Sequence, residues 1–270
     1  MTDPALRALC QRHIADEPRW LEAYALLADP TASCEQLEST LAPIMNNTEG
    51  GAHAPGAWLL RHDAAGLAVV VGEPSAASWT SLLERHCGLA ILFDNAYPAL
   101  TMSAQRAGRH VVGVSFALLT QASPALDGAA PLNADESLEH VEPVLRAELT
   151  RVRHDRTIWT VRVDDQPVSF AYAGWRSPAW FDVSVDTVRE FRQLGLATIT
   201  TAALLRDEMT HGRQPVWGAI DDNLASQRLA AKLGFTPHAR AAMVTPAVAP
   251  LNAPQVAPLN TPPITSQVAP

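Results

Sequence analysis

The stretch FRQLGLATITTAALL, residues 191–205, decides the fold. It reads as a helix that follows an arginine and has Gly195 and the small Ala197 at its start. A helix N-terminus carries unpaired N–H groups and a partial positive charge, so a diphosphate can lie on it when no side chain blocks the approach. Gly195 and Ala197 remove that obstruction, and Arg192 adds a charge-assisted donor. The alternative is a helix N-terminus with an incidental glycine, because a single glycine motif is weak evidence.

The elements around this helix follow a regular order of strand, helix, strand and helix. The other three are AWFDVSV (179–185) before it, and PVWGAI (215–220) and DDNLASQRLAAKLGF (221–235) after it. The first helix is predicted to run to about His211, with Gly212 as its cap. The second is predicted to begin at Asp222 or Asn223 and to end at Gly234.

Two motifs in this region resemble the GNAT superfamily of acyl-CoA dependent N-acyltransferases. The resemblance extends from about Thr157 to Phe235, less than half of the chain. The R/Q-x-x-G-x-G/A signature is matched by Arg192, Gly195 and Ala197, and the later N-x-x-S/A and K-x-G-F pattern by Asn223, Ser226, Lys232, Gly234 and Phe235. The resemblance implies an α/β (α+β) fold in which a mixed, mostly antiparallel sheet is flanked by helices.

The same resemblance implies a site for acetyl-CoA as co-substrate. The main chain of Val183 and Val185 would pair with the pantetheine arm, and Asn223 and Ser226 would help to hold it. The backbone amides that would cradle the pyrophosphate are those of Arg192, Gln193, Leu194, Gly195, Leu196, Ala197 and Thr198.

Catalysis needs an unprotonated amine and a proton for the departing thiolate. The candidate bases are Asp182, Tyr172, Asp221 and Asp222, and spacing alone singles out none of them; Asp182 and Tyr172 are preferred. Members of the superfamily often take the acid from a tyrosine four residues before the glycine of the final G-F. This chain has Ala230 there, so the thiolate is protonated by water or another group, or the enzyme has lost efficiency.

Residues 1–125 are predicted to form a second, mixed α/β domain, either an acceptor-pocket domain or a degenerate GNAT-like copy. Residues 3–45 read as helical, and 57–73 as a hairpin around Asp63–Gly66. The next elements are a helix from about Ser75 to Gly88 and two strands, LAILF (89–93) and HVVGVSFALL (110–119).

The loop 122–137, rich in proline, alanine, glycine and aspartate, separates this domain from the GNAT domain at 126–243. A helix is predicted from about Leu138 to Arg151, followed by two strands joined at residues 164–167. Residues 244–270 repeat VAPLN and carry a proline every few positions, which predicts a disordered tail.

The end of the GNAT domain leaves a question about its last strand. A complete fold of this kind adds two strands after the G-F, whereas only one is predicted before the tail. The other strand is missing, supplied by the N-terminal domain, or borrowed from a second subunit, so a homodimer stays open.

Composition restricts the partners. The net charge of −8 argues against nucleic acid or an anionic membrane as the main partner. The three cysteines are widely spaced and lack a C-x-x-C pair, so neither a disulfide framework nor a metal site is expected. The N-terminus lacks the pattern of a secretory leader, and a cytoplasmic location is expected.

The resemblance to the GNAT superfamily implies an N-acetyltransferase that moves the acetyl group of acetyl-CoA to the primary amine of a small molecule by direct attack on the thioester. The alternative is a CoA-binding sensor or interaction module with weak or no turnover, suggested by Ala230 and by the lack of an obvious base. The sequence names neither the acceptor nor the length of the acyl chain.

Overall fold

The computed structural model describes residues 4–12, 14, 16–37, 56–121 and 125–246. These residues form two compact units. The N-terminal unit contains the described residues up to Gly113, Trp175–Trp180 and the chain from Ala239, and the second unit contains Val114–Gly174 and Phe181–His238. The two units are defined by contacts in space, whereas the predicted domains 1–125, 126–243 and 244–270 are defined along the sequence. The two divisions cannot be compared directly, and the domain ranges stay a prediction. The proline-rich tail lies outside the described residues from residue 247 onward.

The described residues of the N-terminal unit form helices and a sheet. Its helices are α1 (Pro4–Gln11), α2 (Leu21–Ala28), α3 (Ala76–Arg85) and α4 (Pro98–Arg106), and its strands are β1 (Ser33–Gln36), β2 (Trp58–His62), β3 (Leu67–Val71) and β4 (Ala90–Asp94). The strands pair in chain order, antiparallel except for the parallel pair β3/β4. Trp79 and Phe93 lie in the core between the sheet and helices α3 and α4.

The local predictions for this unit are largely confirmed. β2 and β3 form the expected hairpin, with Trp58 opposite Val71. α3 is capped by Ser75, whose hydroxyl accepts from the N–H of Ser78. The helical prediction for residues 3–45 is wrong at Ser33–Gln36, which pair with β2 as a strand, because sheet pairing overrides local propensity. Residues 38–55 lie outside the described part of the chain.

The second unit contains the remaining elements. Its helices are α5 (Pro143–Val152), α6 (Leu196–Thr210) and α7 (Leu224–Lys232), and its strands are β5 (Val111–Leu119), β6 (Ala130–Pro131), β7 (Trp159–Val163), β8 (Gln166–Arg176), β9 (Trp180–Thr187) and β10 (Gln214–Ile220). Its strand order is β5-β10-β9-β8-β7-β6. β11 (Phe235–Val244) follows α7. α5 begins later than the predicted Leu138 because Pro143 occupies its first turn, where the missing N–H costs nothing.

Each unit completes its sheet with a strand from the other half of the sequence. β5 contributes Val114–Leu118, which pair antiparallel with β10 in the second unit. β11 contributes Ala241–Val244, which pair antiparallel with β4 in the N-terminal unit. The strand next to β10 therefore comes from the same chain, and completing this sheet does not require a second subunit.

The sheet of the second unit is covered on both faces. Side chains of a strand alternate between faces, and the two core clusters follow that rule. Ala171, Ala173, Val183 and Val185 pack with residues of α6 and α7. Phe170 and Tyr172 pack with residues of α5. The even-numbered positions of β8 and β9 thus belong to the face that α5 covers.

One order of elements occurs twice along the chain. The order strand, helix, strand, helix, strand is found in β3-α3-β4-α4-β5 and again in β9-α6-β10-α7-β11. This repetition favours the interpretation of the N-terminal half as a degenerate copy, which stays a prediction. Among the helices of the described ranges, none has the length and apolar character needed to span a bilayer.

Candidate coenzyme and catalytic site

The start of α6 lies in a loop with two left-handed backbone positions. Gln193 has φ 64° and Gly195 has φ 83°. Gly195 is the N-cap, and no side chain caps the helix. The carbonyl of Gly195 accepts from the N–H of Thr198 at 3.0 Å. The helix therefore begins with its first N–H groups unclaimed by a capping side chain, as the signature predicts.

The space beside Gly195 is open. A Cβ placed there would meet no atom within 4 Å. Among the described residues, the N–H groups of 193–197 have no backbone acceptor, and Leu194 is 65% exposed. Several N–H groups next to open space at a helix N-terminus form a cradle for an anion.

The corresponding helix of the N-terminal half does not offer this cradle. α3 is capped by the side chain of Ser75. The nearby Gly72 has φ 85°, but a Cβ there would lie 2.6 Å from the carbonyl oxygen of Gly56. That space is filled by the chain's own backbone. The open helix start is therefore a property of α6 and not of every strand-to-helix turn in this protein.

Arg192 links the loop before α6 to the end of β9. Its Nε donates to the carbonyl of Thr187 at 3.0 Å, which ties the loop to the end of β9. Its positive charge also opposes the rise in the pKa of Asp186, which burial and the charge of Glu148 bring to about 7. The expected contact of Arg192 with a diphosphate stays a prediction.

Asn223 and Ser226 join α7 to β10. The Asn223 side chain is the N-cap of α7 and accepts from the N–H of Ser226 at 3.1 Å. The buried Ser226 hydroxyl accepts from Nε1 of Trp217 at 2.9 Å. The structure thus confirms Asn223, not Asp222, as the N-cap. The predicted roles of Asn223 and Ser226 toward pantetheine are not tested by these contacts.

Val183 and Val185 are buried with their side chains in the cluster beneath α6 and α7. Asp182 and Ser184, which alternate with them along β9, point to the opposite face of the sheet. β9 therefore has an apolar face that anchors it and a polar face on the side of α5. The predicted pairing of its main chain with pantetheine stays a prediction.

Asp182 is buried, with 4% of its surface exposed. Ser184 donates its hydroxyl to Oδ2 of Asp182 at 3.4 Å, and the backbone N–H of Gly218 also donates to this carboxyl. Burial raises the pKa of Asp182 to about 7, although Ser184 and the charge of Arg156 act in the opposite direction. A carboxyl with a pKa near the working pH is suited to accept a proton as a general base.

Gly174 creates the space for this carboxyl. A Cβ at Gly174 would lie 2.7 Å from Oδ2 of Asp182 and 2.6 Å from the Ser184 hydroxyl oxygen. Arg156 donates through Nη1 to the carbonyls of Ala173 and Gly174, and so holds this part of β8 in place. The sequence did not indicate Gly174 or Arg156, because their role depends on the register of β8 beside β9.

Tyr172, the other preferred candidate, lies in the core. It is 1% exposed, and its hydroxyl donates to Oε1 of Glu148 at 2.7 Å. Burial and then the charge of Glu148 raise the pKa of Tyr172 well above its usual value. A tyrosine with a raised pKa is a poor base, so these contacts favour Asp182. Glu148 is itself 5% exposed and was missed because its position on α5 carries no motif.

Two positions remain from the sequence: the candidate base Asp221, and Ala230 in place of the expected acid. Asp221 accepts from the Ser115 hydroxyl at 2.9 Å at the end of β10. Ala230 is 5% exposed and packs against the apolar cluster of α6 and α7. A methyl group in the core supplies no proton, so Ala230 cannot be the acid that members of the superfamily often have at this position. Among the described residues, no group of three or more histidines, cysteines or carboxylates is arranged to hold a metal ion.

Replacement of Gly174 by alanine is expected to lower the free energy of unfolding by about 1–3 kcal/mol, because the new methyl group overpacks the space of Asp182 and Ser184. Gly88→Ala is the matched control, since a Cβ there meets nothing within 4 Å. Its effect is expected to stay within about 0.5 kcal/mol. Urea unfolding of both variants measures the difference. Equal stabilities would contradict the close contact between Gly174 and Asp182.

The raised pKa of Asp182 also predicts a pH dependence of stability. The folded protein holds this proton up to about pH 7, whereas an unfolded aspartate loses it near pH 4. The contribution of Asp182 is therefore complete below about pH 4 and is lost as the pH rises through 7. Asp182→Asn is expected to gain stability relative to the natural protein, on the order of 1 kcal/mol, between about pH 5 and pH 8. A difference in unfolding free energy that does not change with pH would contradict this.

The second unit thus combines an α/β fold, an open helix N-terminus that can hold an anion, and a buried carboxyl on the strand that precedes this helix. Residues 159–240 match the family model described as GNAT acetyltransferase. This match confirms the resemblance of the C-terminal half to the GNAT superfamily.

Solved structures have the same fold over most of the chain. A GCN5-related N-acetyltransferase-like protein from Streptococcus suis is 17% identical with a TM-score of 0.61, over 89% of this chain and 98% of that one. An acetyltransferase of the GNAT family from Colwellia psychrerythraea is 12% identical with a TM-score of 0.53, over 88% and 95% of the two chains. A comparison with curated protein sequences gave no match. These similarities establish the fold of this protein, a mixed sheet flanked by helices as found in GNAT proteins.

Proposed function

We propose that this protein is an N-acetyltransferase that transfers the acetyl group of acetyl-CoA to the primary amine of a small-molecule acceptor. The observation that carries the proposal is the start of α6, where no side chain caps the helix and a Cβ at Gly195 would meet nothing within 4 Å. The N-terminus of a helix is a binding site for phosphate groups, so this helix start can accommodate a diphosphate.

The residues present fit the coenzyme. Of the N–H groups expected at the diphosphate, those of 193–197 would hold it, because those of Arg192 and Thr198 already donate to the carbonyls of Arg189 and Gly195. The main chain of Val183 and Val185 would hold the pantetheine arm, and Asn223 its amides. When bound, acetyl-CoA supplies a thioester carbonyl to the amine of the acceptor. The protein's part is to hold the two reactants in line and to remove a proton from the amine.

Asp182 would take that proton. Primary amines have a pKa of roughly 10 and are largely protonated at neutral pH, so the reaction needs a base. A carboxyl with a pKa of about 7 is ionised in a large fraction of molecules near neutral pH and is basic enough to accept a proton. The Ser184 hydroxyl and the Gly218 N–H donate to its oxygens and so favour the ionised form that accepts the proton.

The departing thiolate needs no strong acid from the protein. A thiol has a pKa of roughly 8.5, so its thiolate is a moderate base that water can protonate near neutral pH. The absence of a hydroxyl at Ala230 is compatible with turnover for this reason. The missing hydroxyl lowers the rate of turnover only by the factor that a positioned general acid would otherwise contribute.

Ala230 also favours a second candidate, a CoA-binding sensor or interaction module with weak or no turnover. The two candidates share the coenzyme site and differ in the chemistry. Binding of acetyl-CoA is expected for both, and acetyl transfer for the first alone.

The test is acetyl-CoA consumption with a panel of primary amines, followed as release of free thiol. The proposal predicts release with at least one amine, above the rate of hydrolysis, and an acetylated amine in the products. The matched alcohols serve as controls and are expected to be inactive. Tight binding with no turnover across the panel would support the sensor module, and no binding would overturn both candidates.

A further inference from the structure

Three hydroxyl groups form a hydrogen-bonded chain beside the first turns of α6. Ser169 on β8 is fully buried, and its Oγ lies 2.9 Å from Oγ1 of Thr187 on β9 and 3.3 Å from Oγ1 of Thr200 on α6. Thr200 is also fully buried, and its hydroxyl donates to the carbonyls of Leu196 and Ala197 at 3.3 and 3.2 Å. Thr187, Ser169 and Thr200, the hydroxyl chain, therefore join two strands to the helix.

The protons of the hydroxyl chain follow one order. Each hydroxyl carries one proton, and a carbonyl oxygen only accepts. Because Thr200 donates its proton to the carbonyls of α6, it accepts from Ser169. Ser169 in turn accepts from Thr187, and the carbonyl of Asp186 lies farther from it, at 3.5 Å. Both fully buried hydroxyls thus donate and accept, and the hydroxyl chain ends on the backbone of the first turn of α6.

The register of the sheet places the hydroxyl chain on the face that α6 covers. Residues two apart on a strand share a face, and Ala171 on β8 and Val185 on β9 pack with residues of α6. Ser169 and Thr187 follow the same alternation on these two strands. A buried hydroxyl in such apolar surroundings is costly unless it has a hydrogen-bond partner. Ser169 is the residue that supplies this partner to Thr200 and connects it to Thr187.

The hydroxyl chain holds both ends of the loop 188–195, whose last N–H groups belong to the anion cradle. Thr187 is the last residue of β9 before this loop, and its carbonyl accepts from Nε of Arg192 at 3.0 Å. Thr200 lies about one turn into α6, after the loop, and binds the carbonyls of the first two helical residues. No side chain caps α6. The hydroxyl of Ser169 therefore links the segment before the cradle to the segment after it.

We propose that Ser169 is a positioning residue for the coenzyme diphosphate, because its hydroxyl holds the two ends of the loop 188–195 in register with each other. Ser169 does not touch the coenzyme and acts through Thr187 and Thr200. Its role rests on the proposed function, since the cradle must bind a diphosphate for its position to matter. The pantetheine arm is assigned to the main chain of β9 and not to this loop. Loss of the Ser169 hydroxyl therefore acts on the diphosphate and leaves the pantetheine contacts in place.

The test is calorimetric titration of acetyl-CoA and of acetyl-pantetheine, which lacks the diphosphate, into the natural protein and Ser169→Ala. The variant is expected to bind acetyl-CoA about fivefold more weakly, the effect of about one hydrogen bond. Its affinity for acetyl-pantetheine is expected to stay within about twofold, whereas a merely structural role would weaken both ligands alike. Equal changes for the two ligands, or none, would overturn the role of Ser169. A natural protein that does not bind acetyl-CoA would overturn the proposed function and this role with it.

Variants of α6 provide matched controls and an independent test if Ser169→Ala does not fold. Thr200→Val keeps the shape of the side chain without its hydroxyl and is expected to show the same selective loss for acetyl-CoA. Thr200→Ser keeps the hydroxyl and is expected to retain the natural ratio of the two Kd values. Thr201→Val is the control, because Thr201 is also fully buried and its hydroxyl has no hydrogen-bond partner among the described residues. Equal losses in Thr200→Val and Thr201→Val would contradict a role of the hydroxyl chain.

Discussion

Replacing Asp182 by asparagine is expected to lower kcat by about 10²-fold or more while leaving the affinity for acetyl-CoA nearly unchanged. The amide has the shape of the carboxyl and keeps an oxygen for the Ser184 hydroxyl and the Gly218 N–H. It cannot accept the proton of the amine. The loss therefore belongs to proton transfer and not to the packing around the side chain.

The pH profile makes this prediction specific. In the natural protein, kcat is expected to rise with pH through about 7, as Asp182 loses its proton. Asp182→Asn is expected to lose that rise. Asp186→Asn is the control, because Asp186 lies on the same strand and its pKa is also about 7. If the rise disappears in Asp186→Asn and persists in Asp182→Asn, the assignment of the base is wrong.

Replacing Gly195 by aspartate is expected to weaken the binding of acetyl-CoA by about 10²-fold or more, because a carboxylate would stand where the diphosphate lies. A Cβ at Gly195 meets nothing within 4 Å, so the side chain finds room, but the left-handed backbone at φ 83° strains any side chain placed there. Calorimetric titration of acetyl-CoA into the variant and the natural protein measures the change in Kd.

Gly195→Asn is the matched control for charge. Asparagine has nearly the same size as aspartate, and both tolerate the left-handed backbone of this position better than other residues do. Asparagine is expected to bind acetyl-CoA at least about tenfold more tightly than aspartate, a difference of about 1.4 kcal/mol. Equal losses in the two variants would mean that bulk or backbone strain, and not charge, governs binding at this helix.

The sequence predicted the parts of the structure that depend on local chemistry. The uncapped start of α6, the N-cap Asn223 and the hairpin of β2 and β3 follow from glycine, capping and turn preferences within a few residues. Asp182 was expected as a candidate base, but its burial was not predicted. That burial requires the bare backbone of Gly174, which only the alignment of β8 beside β9 reveals.

The sequence left open that the N-terminal domain supplies a strand to the GNAT domain, but it could not predict which strands are exchanged between the two halves. β5 pairs with β10 and the end of β11 pairs with β4, and these partners are separated by more than 90 residues. Pairing between such distant segments is set by the packing of whole units and leaves no local signal. The same limit explains β1, a short strand inside a region whose apolar spacing predicts helix.

The central claim is that the N-terminus of α6 binds the diphosphate of CoA, and a calorimetric comparison of acetyl-CoA with acetyl-pantetheine tests it most directly. The two ligands share the thioester and the pantetheine arm, and only the first carries the nucleotide and its diphosphate. Micromolar binding of acetyl-CoA, about 8 kcal/mol, with acetyl-pantetheine at least about tenfold weaker is the predicted result. Equal affinities, or no binding of acetyl-CoA, would contradict it.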